Sequence, residues 1–202
     1  FSFYPNKLIT TGEGGIIVTD DEEIAERCRS LRNLCFQDRK RFVHEELGWN
    51  YRMTNLQAAV GLAQLERLPE TIEKKRFIGR KYTENLSELE EIIQLPVGRC
   101  KYAENIYWVF GIVLSDKIKV SSVIEVMNDL KDYGIGTRPF FWPLHKQPVL
   151  IRSKLIKSDF HPVAKNIALK GFYIPSGLGI SEEEINRVSE GVKEVILRLP
   201  LW

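Results

Sequence analysis

The stretch GGIIVTD, residues 14–20, constrains the fold most. It is a short β-branched run bounded by turn-forming residues, which reads as a buried strand. A helix follows at once over residues 21–34, DEEIAERCRSLRNL. Its first turn is acidic and its arginines lie toward the end, as the helix dipole favours. Ahead of the strand stands FSFYPNKLITTGEGG: a stiff aromatic segment, one lysine, then a glycine-rich turn. The first residues read as strand interior, so the expectation is a piece of a longer protein.

The pattern is lost between residues 35 and 49, which predicts a loop. TNLQ (54–57) has the spacing of a capping box. The helix it opens, LQAAVGLAQLERL, is apolar on most sides. Its small residues Ala58, Ala59, Gly61 and Ala63 permit close packing on another element. Pro69 is expected to kink or restart this helix, because proline suits a first turn. A charged amphipathic helix follows over residues 70–89.

IYWVFGIVL (106–114) reads as a sheet strand, and SVIE (122–125) as the cap of a helix ended by Gly134. Residues 135–148 read as a strand leading into a proline-rich loop. Residues 161–170 read as a helix. SEEE (181–184) caps a last helix reaching Leu199. This order from residue 106, strand, helix, strand, helix, helix, puts a boundary between residues 70 and 90.

The 202 residues carry a net charge of +2, too small to argue for nucleic acid or a membrane surface as the main partner. No apolar run approaches the roughly 20 residues that span a bilayer. The three cysteines, Cys28, Cys35 and Cys100, form no C-x-x-C pair, and there are only three histidines. No metal site is expected from such spacing, and the cysteines read as reduced packing residues.

Lys7 is the first candidate for chemistry. Rigid residues precede it and a turn of little bulk follows, so it is expected to be partly desolvated. Desolvation lowers an amine's pKa and suits it to Schiff-base formation with a carbonyl. TTGEGG (10–15) exposes backbone N–H groups but lacks the Gly-Lys-Ser/Thr of a Walker loop, and it leads into a strand instead of leaving one. It reads as a tight turn or an anion-holding loop. Asn50, Tyr51 and Arg52 stand just before a helix N-terminus, where anions bind well; ordinary capping would need the same residues. Arg138 and His145 sit among aromatic and proline neighbours. There an arginine can grip a phosphate or stack on Trp142. DRKR (38–41) and EKKR (73–76) read as solvated faces.

Together, SFYPNKLITTGEGG, GWNYRMTNLQAAVGLAQLERL, TRPFFWPLHKQP and FYIPSGLGISEEEINRV closely resemble the DegT/StrS family of sugar aminotransferases. The resemblance covers essentially the whole chain. It implies an α/β protein of the aspartate-aminotransferase fold (fold type I) that uses pyridoxal 5'-phosphate. Residues 1–75 would be the end of the large cofactor-binding domain, and residues 76–202 the small C-terminal domain. IPSGLGISEEEI and TRPFFWPLH resemble most the perosamine-forming branch, which aminates GDP-4-keto-6-deoxymannose for surface polysaccharides such as lipopolysaccharide.

By the same resemblance Lys7 matches the catalytic lysine that bonds to the cofactor. Ser2 matches a residue on the cofactor phosphate. Asn50 matches an asparagine reaching the phosphate held by a neighbouring subunit, which implies a homodimer with shared active sites; the cysteines, read as reduced, point to a cytoplasmic protein. Arg138 and His145 fall where the family lines its sugar-nucleotide pocket. Glutamate would supply the amino group. The family's proteins are about twice this length, so this chain alone is expected not to bind the cofactor tightly. Pro69 interrupts a helix that the family usually keeps whole. Two rivals remain: a relative that dehydrates instead of transaminating, against which Lys7 argues, and a non-catalytic interaction or regulatory module using the apolar helix at 56–68.

Overall fold

The computed structural model describes every residue except Asp38, Ser121 and Ser158. The chain falls into two compact units, Phe1–Thr71 and Ile72–Trp202.

In the first unit, α1 (Glu22–Arg32) starts at Asp21, whose carboxylate accepts from the Ile24 amide. Helix α2 (Asn55–Leu65) carries the expected capping box. The Thr54 hydroxyl accepts from the Gln57 amide, and the Gln57 side chain accepts from the Thr54 amide. The expected buried strand over residues 14–20 is not formed. Ser2 and Gly15 make one isolated antiparallel bridge, and beyond it residues 16–19 take no regular secondary structure. Ile17 and Val18 are 70% and 71% exposed. A strand needs a neighbour for its N–H and C=O groups, and no described residue pairs with Ile17 or Val18. Among the described residues of this unit only Thr11 and Cys35 are buried. Cys35 therefore packs as expected, whereas Cys100 of the second unit is exposed.

Helix α3 (Leu68–Leu86) carries Pro69 in its first turn, so proline restarts the helix there. A 3₁₀ turn at Ser87–Leu89 ends it. The second unit continues with β1 (Ile93–Gln94), β2 (Phe110–Leu114), α4 (Val123–Asp132), β3 (Arg138–Pro139), α5 (Pro148–Arg152), α6 (Pro162–Lys170), β4 (Gly171–Ile174) and α7 (Glu182–Leu197). The strands form one sheet in the order β1-β2-β4-β3, with every neighbouring pair antiparallel. Alternation along β2 turns Phe110, Ile112 and Leu114 inward. With Phe172 and Ile174 of β4 they join Tyr82, Leu130 and Val192, from α3, α4 and α7, in one apolar core. Phe140 lies over Gly111 and Gly171, where an added Cβ would come within 2.5 Å and 2.4 Å of its ring.

Two expectations for this unit need correction. The strand foreseen over residues 106–114 begins only at Phe110, because Tyr107 takes a left-handed backbone (φ 48°) and turns the chain. The order foreseen from residue 106 omits β4, the strand between β2 and β3. It follows α6 without a linker, since Gly171 both ends that helix and opens the strand. The caps at Ser122 and Ser181 stand as foreseen, and Gly134 (φ 72°) closes α4.

Candidate active site

Lys7 sits on a loop closed at its base by one carbonyl. Phe3 C=O accepts from the Thr11 amide (3.1 Å) and the Thr10 hydroxyl (2.9 Å). The Phe3 amide donates to Gly14 C=O at 2.9 Å, and the Lys7 amide to Tyr4 C=O at 3.0 Å. Residues 3–11 thus form a short closed loop with half-buried Lys7 within it. Ser2 precedes the loop, exposed, and its Oγ accepts from the Tyr4 amide at 3.3 Å.

Helix α2 holds this loop from one side. Gln64 pairs both ways with Thr10: its Oε1 accepts from the amide (3.1 Å) and its Nε2 donates to the carbonyl (2.7 Å). One helical face up, Gln57 Nε2 donates to Glu13 C=O at 3.2 Å. Between them Gly61 faces Thr11, where a Cβ would lie 2.9 Å from the Thr11 methyl. Close packing at Gly61 was foreseen from residue size; the two glutamines were not. Their spacing of seven residues, which puts them on one helix face, was the available signal.

Asn50 is held elsewhere in the same unit, against the end of α1. Leu34 and Cys35 both take left-handed backbones and turn the chain there. Residues 49–51 lie back along the helix end: Trp49 amide to Leu31 C=O (2.7 Å), Tyr51 amide to Arg32 C=O (2.9 Å), and an Asn33–Asn50 bridge between them. Asn50 Oδ1 accepts from Arg52 Nε at 2.9 Å.

In Ser2 and Asn50 alike the acceptor oxygen is engaged within the protein. Among the described residues the remaining donor, a hydroxyl in one and an amide NH₂ in the other, has no protein partner. Such donors suit a phosphate, and a half-buried primary amine suits an aldehyde. These residues fit part of a phosphate-bearing aldehyde cofactor.

Arg138 and His145 belong to the second unit. Arg138 lies on β3, paired with Tyr173, and is exposed. His145 sits in a 3₁₀ turn, Leu144–Lys146, braced by Trp142 Nε1 donating to Lys146 C=O at 3.0 Å. Its ring meets His161 edge-on at 4.6 Å between centroids, and its Nε2 is buried without a hydrogen-bond partner among the described residues. Burial first, then the electrostatic influence of the nearby His161 and Lys146, holds its pKa below the usual histidine value. His161 Nε2 lies 3.2 Å from Asp159 Oδ2. A cavity of about 310 Å³ opens beside His161, lined also by Lys146, Asp159, Phe160 and Lys165.

EKKR is not the solvated face that its charge suggested. Lys75 is 4% exposed, and its Nζ donates to the carbonyls of Ser176 (2.5 Å) and Trp108 (3.2 Å). Burial pushes its amine down to about 8. Tyr82, two turns on, donates to Pro175 C=O at 2.6 Å. Lys75, Ile78, Tyr82 and Leu86 fall on one buried stripe of α3, and that periodicity outranks the charge run around Lys75.

Residues 1–193 match the DegT/DnrJ/EryC1/StrS aminotransferase family. The chain belongs to that family. It is 34% identical over 194 residues to a GDP-perosamine synthase of Escherichia coli O157:H7, covering 96% of this chain and 50% of that protein. It is 33% identical over 201 residues to the GDP-perosamine synthase of Caulobacter vibrioides, covering 98% and 52%. Among solved structures, the aminotransferase TlmJ from Streptoalloteichus hindustanus superimposes with a TM-score of 0.84 at 23% identity, over 97% of this chain and 51% of its own. The chain therefore has the α/β architecture of fold type I aminotransferases, whose cofactor is pyridoxal phosphate, and spans about half the length of the relatives it matches. Among the described residues no helix is long and apolar enough to cross a membrane.

Proposed function

We propose that this chain is about half of a pyridoxal-phosphate-dependent aminotransferase that moves an amino group from glutamate to a keto-sugar nucleotide. The substrate is GDP-4-keto-6-deoxymannose and the product a perosamine-type sugar for surface polysaccharide, made in the cytoplasm. The relatives named GDP-perosamine synthase support the substrate class.

The observation that carries the reading is the closed loop of residues 3–11, with a half-buried primary amine in it and unpartnered donors at Ser2 and Asn50. When bound, the cofactor supplies the electron sink for transamination. Lys7 would hold its aldehyde, and its amine would serve as the base that moves a proton at the substrate carbon. Ser2 and Asn50 donate to its phosphate, Asn50 from the neighbouring subunit of a homodimer. Arg138 and His145 face the sugar nucleotide. In α2, Leu56 is 82% exposed and Leu62 57%; an apolar face of this kind supports burial against another subunit or the rest of the polypeptide. Residues 1–75 belong to the large domain and residues 76–202 to the small one.

The test is Lys7→Arg in the full-length protein, supplied with glutamate and the keto-sugar nucleotide. Amino-sugar formation is expected to fall below detection while the protein stays folded. Undiminished conversion would refute the reading.

A further inference from the structure

We infer that Gln64 is a positioning residue for Lys7, acting through a two-way clamp on the base of the lysine loop; this rests on the reading of Lys7 as the cofactor-bearing amine. The loop has one point of closure, Phe3 C=O, which takes both the Thr10 hydroxyl and the Thr11 amide. Gln64 fastens that point to α2 by matching the amide and the carbonyl of Thr10 at 3.1 Å and 2.7 Å, as a strand neighbour would. Its Nε2 also lies 2.9 Å from Val60 C=O within the helix, which fixes the side chain before it meets the loop.

Three further features point the same way. Thr11 is one of only two buried residues among those described in its unit, and it sits against Gly61, the helix position between the two glutamines. Gln57 holds the far side of the glycine turn through Glu13 C=O. Among the described residues no apolar core lies beneath the loop, and side-chain hydrogen bonds from α2 are what tie it to the helix. A catalytic amine has to be held within about 0.5 Å of its productive position. Because the Gln64 amide is the side chain that ties Thr10 to α2, its loss is transmitted to Lys7, three residues away.

The experiment uses the full-length protein and Gln64→Met, which keeps the length of the side chain and removes both hydrogen-bonding groups. Amide exchange of Thr10 and Thr11 is expected to quicken by about tenfold or more, because two hydrogen bonds of ordinary net strength are lost. In the cofactor-loaded protein, kcat is expected to fall with little change in KM for the sugar nucleotide, and the pH midpoint of the cofactor's visible band to move, at an unchanged melting temperature. Gln57→Met, which removes one bond on the far side of the turn, should give a smaller change of the same kind. Unchanged exchange at Thr10, or a normal band midpoint and kcat in Gln64→Met, would overturn the inference. If the wild-type protein instead carries no cofactor at Lys7, the underlying reading fails, and the positioning role with it, whatever the exchange rates show.

Discussion

The two units of this chain solve the folding problem to different degrees. Residues 72–202 pack α3, α4 and α7 on one sheet around a continuous apolar core in which Phe110, Phe172 and Tyr82 are fully buried. Residues 1–71 bury only Thr11 and Cys35 among those described, and expose Ile17, Val18 and Leu56. Yet the residues proposed for the cofactor, Ser2, Lys7 and Asn50, all lie in the first unit, residues 1–71. Its order comes from hydrogen bonds: a helix clamp on one loop and a helix end holding one strand-like segment. The difference teaches that a site can be shaped locally by hydrogen bonds even where its own unit buries little apolar surface.

The sharpest way to break this contrast is to separate the units. Residues 68–202, which keep α3 whole, are expected to unfold in one cooperative transition by circular dichroism. Residues 1–71 are expected to show none, since little apolar area is buried to offset chain entropy. For the same reason the 202-residue chain by itself should show no visible band of bound cofactor. Next in size, Phe110→Ala should cost about 3–5 kcal/mol in urea unfolding, whereas Ile17→Ala in the same chain should stay within about 0.5 kcal/mol.

A pH series sharpens the picture of the second unit. The Lys75 amine falls from 10.5 to about 8 on burial. Between those values the unfolded chain binds a proton that the folded chain does not, so stability rises with pH across that window. The rise attributable to Lys75 is ~3 kcal/mol at most, and below pH 8 the stability stays at its lower level. It should vanish in Lys75→Met, read as the difference between the two urea midpoints at pH 7.5 and pH 10.5. A smaller effect than that of Lys75 is expected of Ser181→Ala, which removes the cap of α7 and should cost about 1 kcal/mol.

What could be read in the sequence follows the range of the forces involved. The caps at Thr54, Ser122 and Ser181 were legible, because capping is decided within four residues. GGIIVTD misled because a strand is completed by a distant partner, and none of the described residues supplies one. β4 escaped notice because a four-residue strand beginning on a helix's last cap leaves no turn to mark it. Lys75 was hidden by its charged neighbours, although its spacing with Ile78 and Tyr82 pointed inward. For the site, single residues such as Ser2 or Asn50 carry little information in isolation; the resemblance singled them out. The seven-residue spacing of the glutamines put them on one face of α2, but what they hold became visible only once the loop and α2 were seen together.

The most direct test of the account is hydride trapping in the full-length protein. Borohydride is added to the cofactor-loaded enzyme, and the digested protein is mapped by mass spectrometry. The account predicts a reduced pyridoxyl adduct on the peptide carrying Lys7, absent from Lys7→Arg. An adduct on another lysine, or none in a protein that still transaminates, would contradict it.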